Sequence, residues 1–239
     1  MAQRISRKEL KKDEVRETFA HGADAVLSHQ TATVFIVIIA ILVAAGFFGW
    51  KTYSQRQTTK ASAAFDDAMK TFQGRVRATG EPSQPGDTSF ADDQTKYAEA
   101  AREFGGVAAK YSHTHPGQVA AYYQALSLER LGKSDEAKKV LEGIAHGSDE
   151  FAAMARFELA RLSDKMGQGE QAVRLYQDLI AKPTVLVPKP VVMLALAQHY
   201  AAKNPSEAAK LYGQIKSEYP DTPISQQADQ ELALLPGKS

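Results

Sequence analysis

The sequence predicts an all-α protein in which one transmembrane helix is followed by a solenoid of helical hairpins. Two observations predict this fold class. Residues 34–50 form a continuous apolar run without Asp, Glu, Lys or Arg. Farther along the chain, a pattern of small and large apolar residues recurs every 35 to 37 residues, which is typical of stacked helical hairpins.

The apolar run is expected to form an uncleaved membrane anchor within a transmembrane helix over residues 31–53. A helix of this length covers about 30 Å, the thickness of the hydrocarbon core of a bilayer. Trp50 and Tyr53 fit an interfacial aromatic belt, and the Lys51 amine can reach the same interface. A cleaved signal peptide is the alternative, because residues 43–45 resemble a cleavage site. The long segment before the run and the apolar residues that follow this site favour the anchor.

The charges that flank the anchor predict its topology. The predicted cytoplasmic tail, residues 1–30, contains six basic side chains: Arg4, Arg7, Lys8, Lys11, Lys12 and Arg16. Short basic tails stay in the cytoplasm, so the rest of the chain is expected in the periplasm, or otherwise outside the cytoplasm, of a plasma (inner) membrane. Basic residues also follow the apolar run closely, namely Lys51, Arg56 and Lys60. By the same rule they favour a cytoplasmic location for that end of the helix, so the inverted, cytoplasm-facing topology is the alternative.

Composition excludes several classes of protein. The chain contains no cysteine, which rules out disulfides, thiolate metal sites, thiol catalysis and a lipid anchor on cysteine. Its net charge is +1, so there is no global electrostatic case for binding nucleic acid. The sequence therefore predicts protein partners and no nucleic-acid partner.

Four small residues mark the second helix of successive hairpins. These residues are Ala100, Ala137, Ala172 and Ala208. Large apolar residues follow each alanine at four and seven positions, and this spacing places them on one helix face. Gly132 and Gly167 stand where a first helix must end and the chain must turn. A single hairpin cannot bury its own apolar face, so neighbouring hairpins are expected to stack.

The remaining segments complete the predicted organisation of the chain. Residues 54–78 have an apolar stripe and predict a membrane-proximal helix. Residues 79–92 contain clustered prolines and glycines and predict a flexible loop. Repeats are expected over residues 93–235, interrupted by an irregular link at residues 182–190. Residues 236–239 are expected to form a frayed tail.

The repeated pattern resembles the tetratricopeptide repeat. Ala125, Ala160 and Leu196 occupy the position at which the first helix of that repeat packs closely on its neighbour. The tryptophan that is typical of the first helix is absent, and Lys203 replaces the turn glycine in the last hairpin. The chain is therefore expected to contain degenerate repeats.

The order of segments in the whole chain is similar to that of the YfgM family, whose members are ancillary subunits of the bacterial Sec translocon. The run Gly49-Trp50-Lys51-Thr52-Tyr53 at the end of the apolar segment carries the sharpest local similarity. The resemblance implies a membrane-anchored adaptor or chaperone associated with the Sec translocon, with partners among translocon subunits, periplasmic chaperones and exported polypeptides. A scaffold for envelope assembly or cell division is the alternative function.

No residue pattern in the sequence indicates catalysis or a bound cofactor. The chain lacks a glycine-rich phosphate loop and a nucleophile elbow. His113 and His115 are spaced like a metal pair, but no third ligand stands nearby, so a solvated turn is the favoured interpretation. The sequence predicts a non-catalytic protein with no cofactor and no metal.

The binding site is expected on the concave face, which the first helices line. Counting back from the repeat alanines predicts a protein-binding groove of Tyr122, Leu126, Glu129, Arg130, Phe157, Arg161, Asp164, Lys165, Met193 and Tyr200. Aromatic, methionine and charged side chains suit the capture of polypeptides. Alternatively, Phe157 and Met193 belong to the core between repeats. Tyr122 and Leu126 stand where a clamp for a terminal carboxylate needs polar side chains, so recognition of a chain terminus is disfavoured.

Overall fold

The computed structural model describes residues 30–78, 81 and 89–236 of the 239-residue chain. The chain divides into two compact units, Met1–Arg56 and Gln57–Ser239. The predicted charged tail up to residue 29, residues 79, 80 and 82–88 of the predicted loop, and residues 237–239 lie outside the described residues. Helices make up nearly all of the regular structure that is described, which confirms the all-α fold class.

Helix α1, Gln30–Gln73, contains the entire apolar run. In the first unit its large apolar side chains are exposed, with Phe35 at 67% and Trp50 at 74%. Such a surface is unfavourable in water and favourable in hydrocarbon. From Val34 onward α1 is long and apolar enough to cross a membrane, and its most apolar window has a mean hydropathy of 2.4 with no buried residue. The first unit therefore contributes a candidate membrane span.

The remaining described elements belong to the second unit. The helices are α2 (Asp93–Lys110), α3 (His115–Arg130), α4 (Ser134–Ala145), α5 (Glu150–Lys165), α6 (Gly169–Ala181), α7 (Lys189–Ala201), α8 (Pro205–Glu218) and α9 (Pro223–Ala233). Two short strands, β1 (Arg75–Val76) and β2 (Ser89–Phe90), pair in parallel. These strands were not expected: the helix predicted over residues 54–78 ends at Gln73, before Gly74, and the predicted loop ends in β2.

Successive helices from α2 to α9 pack against one another. Helices α3 and α4, α5 and α6, and α7 and α8 form three hairpins, and the first helices α3, α5 and α7 also contact their counterparts in the next hairpin. Helix α9 packs on α8 and α7, so it covers the apolar face that the last hairpin would otherwise expose.

The predicted helix register is confirmed by burial. Ala100, Ala137, Ala172 and Ala208 have no exposed surface, and Ala125, Ala160 and Leu196 are at most 4% exposed. The methyl side chains of the repeat alanines let two helix backbones approach closely, while the large residues four and seven positions later fill the space beside them. The hydrophobic core is consequently a row of clusters between adjacent helices.

Two of the turns between hairpin helices depend on glycine. Gly132 has φ 74° and Gly167 has φ 75°, the left-handed region that glycine adopts without a steric penalty. At the first turn, Lys133 N donates to Leu128 O at 2.9 Å and Gly132 N donates to Glu129 O at 3.0 Å. These two bonds satisfy the last free carbonyls of the helix. The third turn, which contains Lys203, closes without a left-handed residue, and Asn204 N donates to Tyr200 O at 2.7 Å.

An aromatic cluster joins the end of α1 to α2 and α3. The ring centroid of Phe72 lies 6.0 Å from that of Phe104 and 5.4 Å from that of Tyr123. The Phe65 ring lies 5.6 Å from Phe104. Edge-to-face and offset arrangements of this kind stabilise aromatic pairs beyond the area that they bury. The cluster positions Phe72 beside the polar ends of α3 and α5.

Candidate binding groove

The C-terminal halves of α3 and α5 together line a cavity of about 520 Å³. We call this surface the groove cavity, and its lining residues are Phe72, Leu126, Glu129, Arg130, Glu158, Arg161 and Lys165. Five of these residues belong to the predicted groove. The side chains meet because α3 and α5 are first helices of consecutive hairpins, so equivalent faces lie side by side.

Two acidic residues of the groove cavity are paired with cations. Lys165 of α5 bonds across the helices to Glu129 of α3. Within α5, Arg161 Nη1 donates to Glu158 Oε1 at 3.0 Å. The two cations remain about half exposed, whereas the carboxylates are mostly covered. Both acids are thus neutralised within the cavity wall.

Glu158 is the most deeply placed charge of the groove cavity, with 12% of its side chain exposed. Burial raises the pKa of Glu158 above its ordinary value of 4.5, and the adjacent Arg161 opposes that shift. Burial also raises the pKa of the neighbouring Tyr122 phenol. The base of the cavity is therefore a poorly solvated environment in which an added charge interacts strongly with its neighbours.

Arg130 differs from the other cations of the groove cavity. Its guanidinium lies 5.9 Å from the ring centroid of Tyr97, within the range of a cation–π contact. Tyr97 in turn packs its ring against that of Phe72, with centroids 5.7 Å apart. Among the described residues, no carboxylate lies within ion-pair distance of Arg130.

Asp164 continues the polar face from α5 to α7. His199 Nδ1 lies 2.6 Å from Asp164 Oδ1, and the imidazole donates this bond because an ionised carboxylate can only accept. Lys203 reaches the same carboxylate oxygen at 3.7 Å. The His199 side chain is 4% exposed, so Asp164 mainly satisfies a buried group.

The structure places the predicted apolar groove residues at various depths. Met193 is 1% exposed and lies in a core cluster between α7, α8 and α9, and Tyr122 is 9% exposed in the core between α3, α4 and α5. Phe157 is partly buried, with its ring 6.1 Å from that of Tyr176. Tyr200 is partly buried beside the His199 ring. Helix packing brings together the predicted polar residues of α3 and α5 and draws these apolar side chains inward.

Sequence reasoning missed several residues of this surface. Phe72 lies in the apolar stripe of the predicted membrane-proximal helix, and the sequence did not place it, or Glu158, Tyr97 and His199, in the groove. Glu158 stands one helical turn before Arg161, a spacing that favours an ion pair and was a usable signal. Nothing local connects Tyr97 or Phe72 to Arg130, because they lie on different helices.

The turn that contains His113 and His115 is exposed. The His115 ring packs edge-on against Phe151 of α5, with centroids 4.5 Å apart. Within residues 30–78, 81 and 89–236, no group of three or more His, Cys, Asp or Glu side chains is arranged to hold a metal ion.

These features define a class of protein, the helical-hairpin repeat scaffold. The sequence profile described as "Tetratricopeptide repeat-like domain" matches residues 28–185, which is more than half of the chain. A second profile, "Tetratricopeptide repeat", matches residues 192–222. The chain therefore belongs to the tetratricopeptide repeat-like family.

Solved structures show the same fold at low sequence identity. A putative kinesin light chain from Podosopora anserina with nearly identical TPR-like repeats aligns with a TM-score of 0.52 at 18% identity, covering 74% of this chain and 85% of that one. A single-substitution variant of that protein aligns with a TM-score of 0.53, also at 18% identity, over 74% of this chain and 84% of that one. No curated protein matches the chain.

Membership in this family indicates a protein-binding adaptor. Repeats of this type are typically non-catalytic scaffolds, and their curvature creates an extended concave surface for partners. The groove cavity combines aromatic, aliphatic and charged side chains.

Proposed function

We propose that this protein is a non-catalytic, membrane-anchored adaptor that binds exported polypeptides at the Sec translocon through the groove cavity. The observation that carries the proposal is the convergence of polar side chains from α3 and α5 around a cavity of about 520 Å³. Such a cavity has room for a side chain of a bound segment, and its mixed charges provide several hydrogen-bonding groups.

The candidate membrane span supports a role beside a membrane. Residues 34–50 and the groove cavity belong to one chain, so a span would tether the groove to the bilayer. Tethering raises the effective concentration of a site toward partners in the same membrane, and weak intrinsic affinity then suffices. The similarity to the YfgM family supports the translocon as the partner complex and the periplasm as the location of the repeats.

Photo-crosslinking in intact cells tests this proposal directly. A photo-reactive amino acid is placed in turn at Arg130 and Lys165, which line the groove cavity, and at Lys139 and Arg174, which are exposed on the second helices α4 and α6. We expect adducts with translocon subunits or exported chains from the two groove positions and few from the two control positions. Mass spectrometry identifies each adduct.

Other outcomes would replace the proposal. Equal crosslinking from all four positions would show that the groove is not the binding surface. Adducts with cytoplasmic proteins alone would establish the inverted topology, which protease treatment of spheroplasts checks independently. Adducts with envelope-assembly or division proteins would establish the scaffold alternative.

A further inference from the structure

Arg130 is the unpaired cation of the groove cavity among the described residues. Five charged side chains line the cavity, and two carboxylates, those of Glu129 and Glu158, are bonded to Lys165 and Arg161. The remaining charge is the Arg130 guanidinium, whose contact in the described part of the chain is the face of Tyr97. The cavity therefore has an excess of one positive charge.

The guanidinium of Arg130 also has an aromatic neighbour. Tyr97 lies under it, and Phe72 packs edge-on against Tyr97 at 5.7 Å. A cation–π contact leaves the N–H groups of an arginine free to donate to another group. A planar guanidinium presents these donors as a fork that matches the two oxygens of a carboxylate.

Two of the residues that line the groove cavity are apolar. Leu126 and Phe72 line it next to the charged residues. A ligand that fits this lining has an acidic group for Arg130 and an apolar group beside it. An extended polypeptide that contains Asp or Glu next to aliphatic or aromatic residues has both groups.

We infer that the groove cavity binds an internal acidic–apolar segment of a polypeptide, whose side-chain carboxylate pairs with Arg130 while a neighbouring apolar side chain contacts Leu126 and Phe72. This inference rests on the proposed function, and it specifies the chemistry of the partner. A polyanion such as nucleic acid needs several free cations along its backbone, whereas Arg161 and Lys165 are bonded to Glu158 and Glu129, which disfavours nucleic acid at this surface. A single carboxylate needs only the Arg130 guanidinium.

The test uses the full-length protein in nanodiscs of neutral lipid and two fluorescent peptides. Both peptides are acetylated and amidated, so neither has a terminal charge, and both contain leucine in a serine background. The acidic peptide contains glutamate at the positions where its matched partner contains glutamine. We expect the acidic peptide to bind roughly tenfold more tightly, the size of one charge-assisted hydrogen-bond pair in a partly desolvated site.

Variants assign that preference to Arg130. Arg130→Gln is expected to abolish the preference for the acidic peptide, and Arg130→Lys to retain part of it, because the charge remains without the fork. Arg174→Gln is the matched control, since Arg174 is an exposed arginine of α6 that also carries a positive charge. This control should keep the full preference, and added salt should reduce the preference of the wild-type protein.

The results separate this inference from the proposed function. Equal affinity for the two peptides, or a preference that survives Arg130→Gln, would overturn the inference. So would the failure of both peptides to bind. In each of these cases, groove-specific crosslinking in cells would still support the proposed function, whereas loss of that crosslinking would overturn the proposed function itself.

Discussion

The contacts between helices differ in their side chains from the face of the first helices on which the groove was predicted, which we call the groove face. Between helices, alanines such as Ala137 and Ala172 have no exposed surface. On the groove face, Arg161 and Lys165 keep 47% and 59% of their side chains exposed and are held by ion pairs. Close-packed contacts tolerate no added atoms, whereas exposed ion pairs contribute little to folding. The difference teaches that stability lies mainly in the interhelical contacts and that the groove face remains available for partners.

The largest effect is expected from overpacking an interhelical contact. Ala172→Leu adds side-chain carbons at a residue of α6 that has no exposed surface, and we expect a loss of about 3 kcal/mol of folding free energy, the upper end of the range for overpacked cores. Ala181→Leu, at an exposed position of the same helix, is the control and should change stability by less than about 0.5 kcal/mol. Urea unfolding of the full chain in detergent, followed by circular dichroism, measures both. Equal stability of the two variants would show that the repeat register is wrong.

The second effect concerns the start of α3, where Gly117 lies close to the backbone of Tyr111. A Cβ atom on Gly117 would lie 2.0 Å from the carbonyl oxygen of Tyr111, so Gly117→Ala forces the turn to shift. We expect a loss of about 2 kcal/mol, again from steric overlap. Gly106→Ala in α2 should have the opposite sign and stabilise the chain by about 0.5 kcal/mol, because nothing lies within 4 Å of its added carbon. The same unfolding assay compares them, and a matching loss in both variants would refute the steric explanation.

The third prediction separates two neighbours on the groove face. Asp164→Ala removes the acceptor of the buried His199 imidazole and should cost about 1.5 kcal/mol, because a buried donor is left without a partner. Asp164→Asn keeps an acceptor and should cost less. Lys165→Ala should change stability by no more than about 0.5 kcal/mol. A larger loss of stability for Lys165→Ala than for Asp164→Ala would contradict the claim that stability lies mainly in the interhelical contacts.

The smallest effect is a pH dependence at Glu158. Burial raises the pKa of this carboxyl in the folded chain, so its protonated form stabilises the fold at low pH. That contribution is lost as the pH rises from the ordinary value of 4.5 through the raised pKa. Glu158→Gln removes this loss, and its stability relative to the wild-type protein should therefore increase with pH across that range. Glu170→Gln, at an exposed side chain of α6, controls for the change in net charge, and identical pH profiles for the wild-type protein and Glu158→Gln would contradict the prediction.

Much of the repeat architecture could be predicted from the sequence. The positions of Gly132 and Gly167 followed from the backbone geometry that a helix end requires, and both have positive φ. The buried alanines followed from their spacing. The β1–β2 pair was not predicted, because it depends on a contact between two segments on either side of the predicted loop.

The groove could be predicted only in part. Glu129, Arg130, Arg161 and Lys165 line the groove cavity as their helix positions indicated. The same counting from the repeat alanines placed Tyr122 and Met193 in the groove, but both lie in the core. Helical periodicity places a residue within a face of about one third of the helix, and it does not show how closely the next hairpin covers that face.

The sequence by itself determined the helical-hairpin class, the register of the interhelical contacts and the apolar run that forms a candidate span. These properties depend on local periodicity, turn geometry and the length of an apolar segment, all of which are encoded within a few helical turns. Only the tertiary structure decided which side chains remain available to a partner. The stacking of α3 on α5 paired Glu129 with Lys165, and the packing of α1 against α2 placed Phe72 and Tyr97 beside Arg130. Such juxtapositions depend on the relative placement of distant helices, because burial and charge pairing are properties of the assembled surface.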